Sequence, residues 1–169
     1  EMEPAAAEHV HRVAPELPVP AMVPTTSGTT VTTVEDSLGR SCLARVITVL
    51  PGSDLEGSPI TVGIAGQIGA ITARLQLALR GFFHPAGDRM IGWDVRRLPE
   101  LVPPPDRLAA LADRVGPALA ATAALPSWIQ HADVTLTNVL GVGDTVTGVI
   151  DFGDMHHTAA ACDLAAALT

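Results

Sequence analysis

No lysine occurs in this sequence. All ten basic residues are arginines, set against eighteen Asp and Glu, for a net charge of −8. That balance lacks the basic clusters wanted by nucleic acid or an anionic membrane surface, and it argues against both as partners. Aromatic residues are scarce, 3% of the chain beside 47% hydrophobic, so a core has to be built from Ala, Val, Leu and Ile. The two cysteines, Cys42 and Cys162, lie far apart without metal-ligand spacing. They exclude a disulfide framework and suit a reducing compartment, the cytoplasm. No apolar run approaches the roughly 20 residues of a membrane span, and no signal peptide is visible.

What is present is 169 residues, enough for one domain or a large part of one. A chain of this size buries about two-thirds of its unfolded surface. It starts at Glu1 and stops at Thr169, inside an apolar helical pattern (Leu164, Ala165, Leu168) with no capping residue after it. These ends read as those of a piece of a longer protein, incomplete on both sides. No internal repeat or low-complexity linker breaks it, so one domain is expected.

Residues 1–14 read as the end of a helix, stopped by the Pro-rich stretch that follows. Val31–Val34 and Leu43–Leu50 are rich in β-branched residues and flank the turn-forming Glu35–Gly39, a hairpin signal. The strongest helix pattern runs from Pro59 to about Arg80. Ser58 is the expected N-cap, and Ile60, Ile64, Ile68, Ile71, Leu75 and Leu79 fall on one face. Gly81 supplies the stop. This stripe reads as core packing. A loop spans Phe82 to Pro105, with Trp93 expected as a core anchor. A second helix follows Asp106, which Pro117 should kink or split. Val146 to Ile150 and Asn138 to Leu140 read as short strands around Gly141–Thr145. The final helix is expected near Thr158.

Chemistry concentrates in residues 131–154, HADVTLTNVLGVGDTVTGVIDFGD. Phosphoryl transfer asks for a base near the acceptor hydroxyl, metal ions on the phosphates and fixed geometry. Asp133 follows an apolar approach strand, so its carboxylate can face a cleft. Asn138, five residues on, begins the next strand and offers an amide oxygen. Asp151 ends the paired strand beside it. Oxygen donors of this kind suit Mg²⁺. Taken singly, each of these residues is also an ordinary turn former. His156 and His157 read as exposed loop residues, and Cys162 as a small buried one.

The pattern His131-x-Asp133-x-x-x-x-Asn138, then Ile150-Asp151-Phe152-Gly153-Asp154, then Cys162-Asp163-Leu164, resembles the aminoglycoside phosphotransferase and choline kinase family. Within it, the sequence is most similar to hydroxylysine-kinase-like domains, sometimes fused to class III aminotransferases. VTGVIDFGDMHHT (146–158), RVITVLPG (45–52) and FFHPAGDRMIGWD (82–94) carry that likeness, which covers most of the chain. The resemblance implies an α+β, protein-kinase-like fold, mainly the helical C-lobe plus the last N-lobe strands. Residues 1–50 would be an N-lobe remnant with the hinge strand, and 51–169 the C-lobe with catalytic loop and metal site. It implies ATP and Mg²⁺ as cofactors and, as substrate, the hydroxyl of a small molecule such as an amino-alcohol, a hydroxy-amino acid or an aminoglycoside. Asp133 would be the catalytic base, and Asn138 and Asp151 would hold the metal. His131 and Asp163 would brace the loop, and backbone groups at Thr48, Val49 and Leu50 would meet the adenine.

Two departures from the family pattern stand out. Its middle Gly is Ala132 here, which costs about 1 kcal/mol or somewhat more if φ is positive. The Gly-rich phosphate loop and the Lys that grips ATP have no counterpart in these residues, so the fragment by itself is expected to be inactive. That absence also motivates a rival reading, a non-catalytic pseudokinase-like module fused to another enzyme such as an aminotransferase. A metal-dependent phosphohydrolase fits Asp133 and Asp151 but leaves the rest of the match unexplained.

Overall fold

The computed structural model describes residues 2–92, 94 and 106–168; Trp93 lies outside the described residues. Helix α1 (Met2–Val13) opens the chain, buries Met2, Ala6, Ala7 and Val10, and carries Glu3 in its first turn. Two small antiparallel pairs follow. β1 (Met22–Val23) pairs with β4 (Val46–Ile47), and β2 (Thr32–Glu35) pairs with β3 (Ser41–Ala44). The expected hairpin is present, turned through Gly39 at φ +73. The second expected strand, Leu43–Leu50, is not continuous: it breaks at Arg45, whose guanidinium is tied to Glu3 on α1. Both faces of this hairpin stay exposed, so neither alternation nor burial enforces one long strand.

Helix α2 (Val62–Leu79) is the spine of the core. It starts three residues later than the sequence implies. Thr61, not Ser58, is the N-cap, its hydroxyl accepting from Ile64 N at 3.2 Å. Ile64, Ile68, Thr72, Leu75 and Leu79 form the buried face, while Ile60 stays exposed ahead of the helix and Ile71 is half-buried. Gly81, at φ +107, ends it. Its buried face packs on α1, β6, β8 and the last helix. By length and composition alone α2, at 18 residues, is apolar enough to cross a membrane, contrary to the expectation that no segment approaches a span. Its one-sided burial is that of an amphipathic core helix.

After a 3₁₀ turn (Pro85–Asp88), helix α3 (Asp106–Thr122) runs on through Pro117 without splitting. β6 (Ser127–Gln130) enters the site region. β7 (Val139–Val142) and β8 (Thr145–Val149) form a hairpin whose two-residue turn is Gly143-Asp144, with β5 (Ser53–Asp54) on its other edge. A second 3₁₀ turn, Phe152–Asp154, precedes β9 (His156–Ala159), which pairs with β6. Helix α4 (Ala161–Ala166) closes the chain. The residues at Thr158 are therefore strand, not helix. β-branched Thr158 is buried opposite Trp128, and that cross-strand pairing outweighs the Ala-rich local preference.

Candidate functional site

The connection from β6 to β7 carries His131 and Asp133, and the hairpin β7–β8 brings Asn138 beside Asp151. Ile150 N donates to Asn138 O at 2.9 Å, so the residue before Asp151 is paired with Asn138. Asn138 Nδ2 donates to Asp133 twice, to its backbone oxygen at 2.9 Å and to Oδ2 at 2.7 Å. With Nδ2 so committed, the amide Oδ1 is the atom left to meet a cation. Asp133, Asn138 and the start of the turn at Asp151 are thus brought together by one loop and one hairpin.

Electrostatics follow from that gathering. Burial raises the Asp133 carboxyl above its usual range, the charges of Asp154 and Asp151 add to the effect, and the Asn138 bond offsets it. Asp154 is a member of the cluster to which the sequence reading gave no role. Carboxylates that repel one another in this way fit a divalent cation. Among the described residues no three His, Cys, Asp or Glu are grouped to hold a metal. Asp151 and the Asn138 amide offer two oxygen donors, the kind and number that Mg²⁺ takes from a protein when waters and phosphate oxygens fill the rest of its shell.

The loop is braced from below. His131 is fully buried; its Nε2 donates to Ile150 O at 3.0 Å and its Nδ1 accepts from Asp133 N at 3.3 Å. These two bonds specify the neutral tautomer. Burial pushes the imidazole pKa down, and the nearby Asp163 carboxylate pulls the other way. The Phe152 ring meets His131 edge-on, with centroids 4.7 Å apart. Asp163, buried on α4, accepts from Ala132 N at 2.5 Å, and Gln130, its amide oriented by its neighbours, donates to Asp163 Oδ2 at 2.8 Å. Burial raises the Asp163 carboxyl, while His131 and the Ala132 N–H lower it. Ala132 sits at φ +67, so the residue in place of the family's Gly is in the left-handed region. Asp151 is left-handed too, at φ +61, with Oδ1 accepting from Gly153 N at 3.1 Å.

The residues expected at the hinge stand outside any strand. Thr48 N donates to Ala21 O at 2.9 Å, and its hydroxyl accepts from Ala21 N. Val49 is exposed, and Leu50 packs over Gly148 of β8. His156 and His157 are not loop residues: both lie in β9, and His156 is buried with Nε2 3.3 Å from Asp94 Oδ2. Cys162 is half-exposed rather than buried, and accepts from the Thr158 hydroxyl; both cysteines are free.

The sequence profile of the phosphotransferase enzyme family matches residues 1–169. The chain belongs to this family. It is similar to the homoserine kinase of Methylocella silvestris, 34% identical over 122 residues, which are 64% of this chain and 36% of that protein. The homoserine kinase of Azorhizobium caulinodans is 33% identical over 129 residues, 68% of this chain and again 36% of the relative. The chain thus spans about a third of the length of the curated relatives it matches. The fold recurs in a microcompartment-associated aminopropanol kinase, with TM-score 0.68, 22% identity, and coverage of 98% of this chain and 58% of that one. It recurs also in an amicoumacin kinase in complex with AMP-PNP, Ca²⁺ and Ami, with TM-score 0.66, 19% identity, and coverage of 96% and 51%. The fold is therefore the protein-kinase-like one of small-molecule kinases.

Proposed function

We propose that the protein containing this chain transfers a phosphoryl group from ATP to a hydroxyl of a small molecule, an amino-alcohol or hydroxy-amino acid. One observation carries the reading: Asn138 Nδ2 on Asp133 Oδ2, with Asp151 next door across the β7–β8 hairpin. Asp133 orients the acceptor hydroxyl and takes its proton as the hydroxyl oxygen bonds to the γ-phosphorus and the γ-phosphorus–oxygen bond to ADP breaks, releasing ADP. The Asn138 bond fixes which carboxylate oxygen is held and which faces the acceptor. Asn138 Oδ1 and Asp151 would hold Mg²⁺, which would neutralise developing charge on the phosphates. His131 and Asp163 keep the loop in place and touch no reactant. Thr48, Val49 and Leu50 lie at the adenine end in this reading. The homoserine and aminopropanol kinases support the substrate class by their names alone.

The test is phosphate transfer by the full-length protein with and without Asp133→Asn. Turnover is expected to fall by about 10²–10⁴-fold, the usual worth of a positioned base. Unchanged turnover rejects the assignment. The rival reading, a non-catalytic module, draws on the absence of lysine. It predicts no ATP-dependent product from the full-length wild type with any amino-alcohol or hydroxy-amino acid.

A further inference from the structure

Three consecutive backbone carbonyls, Gly153, Asp154 and Met155, each accept a hydrogen bond from a side chain. Arg89 donates twice, through Nε to Met155 O at 2.7 Å and through a terminal nitrogen to Gly153 O. His156 donates through Nδ1 to Asp154 O at 2.8 Å. The other His156 ring nitrogen faces the Asp94 carboxylate, and both of these side chains are almost wholly buried. Arg89 and Asp94 belong to one stretch that follows the 3₁₀ turn Pro85–Asp88. That stretch lies more than sixty residues upstream of the turn it grips.

The turn needs such a grip. Asp151 is a non-glycine residue held at φ +61 and ψ +71. A left-handed non-glycine residue persists only where its surroundings over-determine it. Its own contribution is one bond, from Gly153 N to Oδ1. The carbonyls at the end of a helical turn carry partial negative charge, and a guanidinium across two of them is the stabilising partner. Met155, between the bonds, is fully buried, so the far side of the turn is anchored in the core.

We infer that Arg89 and the Asp94–His156 pair form a clamp that fixes the orientation of the Asp151 carboxylate toward its cation. They are positioning residues, since none is placed on the reacting atoms. The inference rests on the proposed role of Asp151 and deepens it. Partners that orient a metal-binding carboxylate are worth about 10–100-fold in metal affinity.

The experiment uses the full-length protein with AMP-PNP and titrates Mn²⁺, read by water-proton relaxation. Hydrogen exchange over residues 151–155 is followed in parallel, with KM for the metal–nucleotide and kcat measured separately. Arg89→Ala is expected to weaken Mn²⁺ binding about 10–100-fold. It should also speed exchange across the turn and raise KM more than it lowers kcat. Arg89→Lys should recover part of the affinity, and Asp94→Asn should lose part. If Arg89→Ala binds Mn²⁺ as the wild type does while Asp151→Asn loses it, the clamp is wrong and the cation site stands. If Asp151→Asn binds Mn²⁺ as the wild type does, the cation site falls and the clamp with it. Should Arg89→Ala not fold, wild-type affinity in both Arg89→Lys and Asp94→Asn overturns the clamp.

Discussion

Ala132 and His131 show how single residues set the loop that carries Asp133. Ala132 holds φ +67, a conformation in which its Cβ is strained and a glycine is not. Ala132→Gly is therefore expected to stabilise the protein by about 1 kcal/mol or somewhat less, as the strain relieved is partly offset by a freer unfolded chain. A shift of the urea midpoint upward at unchanged slope would show it; a downward shift would mean the strain is absent. His131 gives a pH dependence. Its pKa is lowered in the fold by burial, so the unfolded chain takes up the proton first. The stability it contributes is full above about pH 6.5, the ordinary histidine value, and is lost as pH falls toward the depressed folded value. Asp163 runs in the opposite sense. Its carboxyl is raised by burial, so its contribution is full below the ordinary carboxylate range and lost as pH rises through the raised value. Unfolding free energies between pH 7.5 and 5.5 should fall less steeply with acid for His131→Gln than for the wild type. Equal slopes would show that His131 does not titrate differently on folding.

At the scale of elements, the readable parts were those with a strong period or a specific turn residue. The apolar stripe of α2 and its Gly81 stop were legible because the helix buries one face. The β7–β8 hairpin was legible from its Gly-rich turn, and with it the approach of Asn138 to Asp151. β9 was not, because MHHTA has no alternation or turn signal of its own; it exists through its pairing with β6. The Leu43–Leu50 run reads as one strand because it is β-branched; its β3 and β4 parts are exposed, so burial does not enforce continuity, and its Thr48–Leu50 end leads into the bend before β5. One glycine shows how closely this segment is seated. Gly52 lies at φ +107, and a Cβ there would meet the carbonyl oxygen of Gly141 in β7 at 2.5 Å. That carbonyl is backbone, which yields little. Gly52→Ala should cost about 2 kcal/mol or more. A thermal midpoint within a degree of the wild type would show that the β5–β7 junction is looser than its geometry.

Over the whole molecule, charge is the property with a functional consequence. The chain carries −8, and Asp133, Asp151 and Asp154 concentrate part of it at the site. A field of that sign draws in a cationic acceptor and is screened by salt. For the full-length protein, KM for an amino-alcohol should rise several-fold between about 20 and 300 mM salt, while KM for a neutral hydroxylated analogue stays level. Equal salt dependence for both would remove steering as the basis of substrate choice.

The sequence by itself determined the family, and it named the two carboxylates and the amide, at their spacing, on which the proposed function rests. Local spacing carries that information because a two-residue hairpin turn leaves few ways to place Asn138 and Asp151. Only the tertiary structure decided what holds them. The bonds from Arg89 to Gly153 and Met155 and from Ala132 N to Asp163 join residues more than thirty positions apart, whose proximity no local pattern encodes. Their contact follows from packing Arg89 against the Phe152–Asp154 turn and α4 against the loop at Ala132. The left-handed Ala132 and Asp151 depend on it, because strain of that kind is stable only inside a frame built from distant parts of the chain.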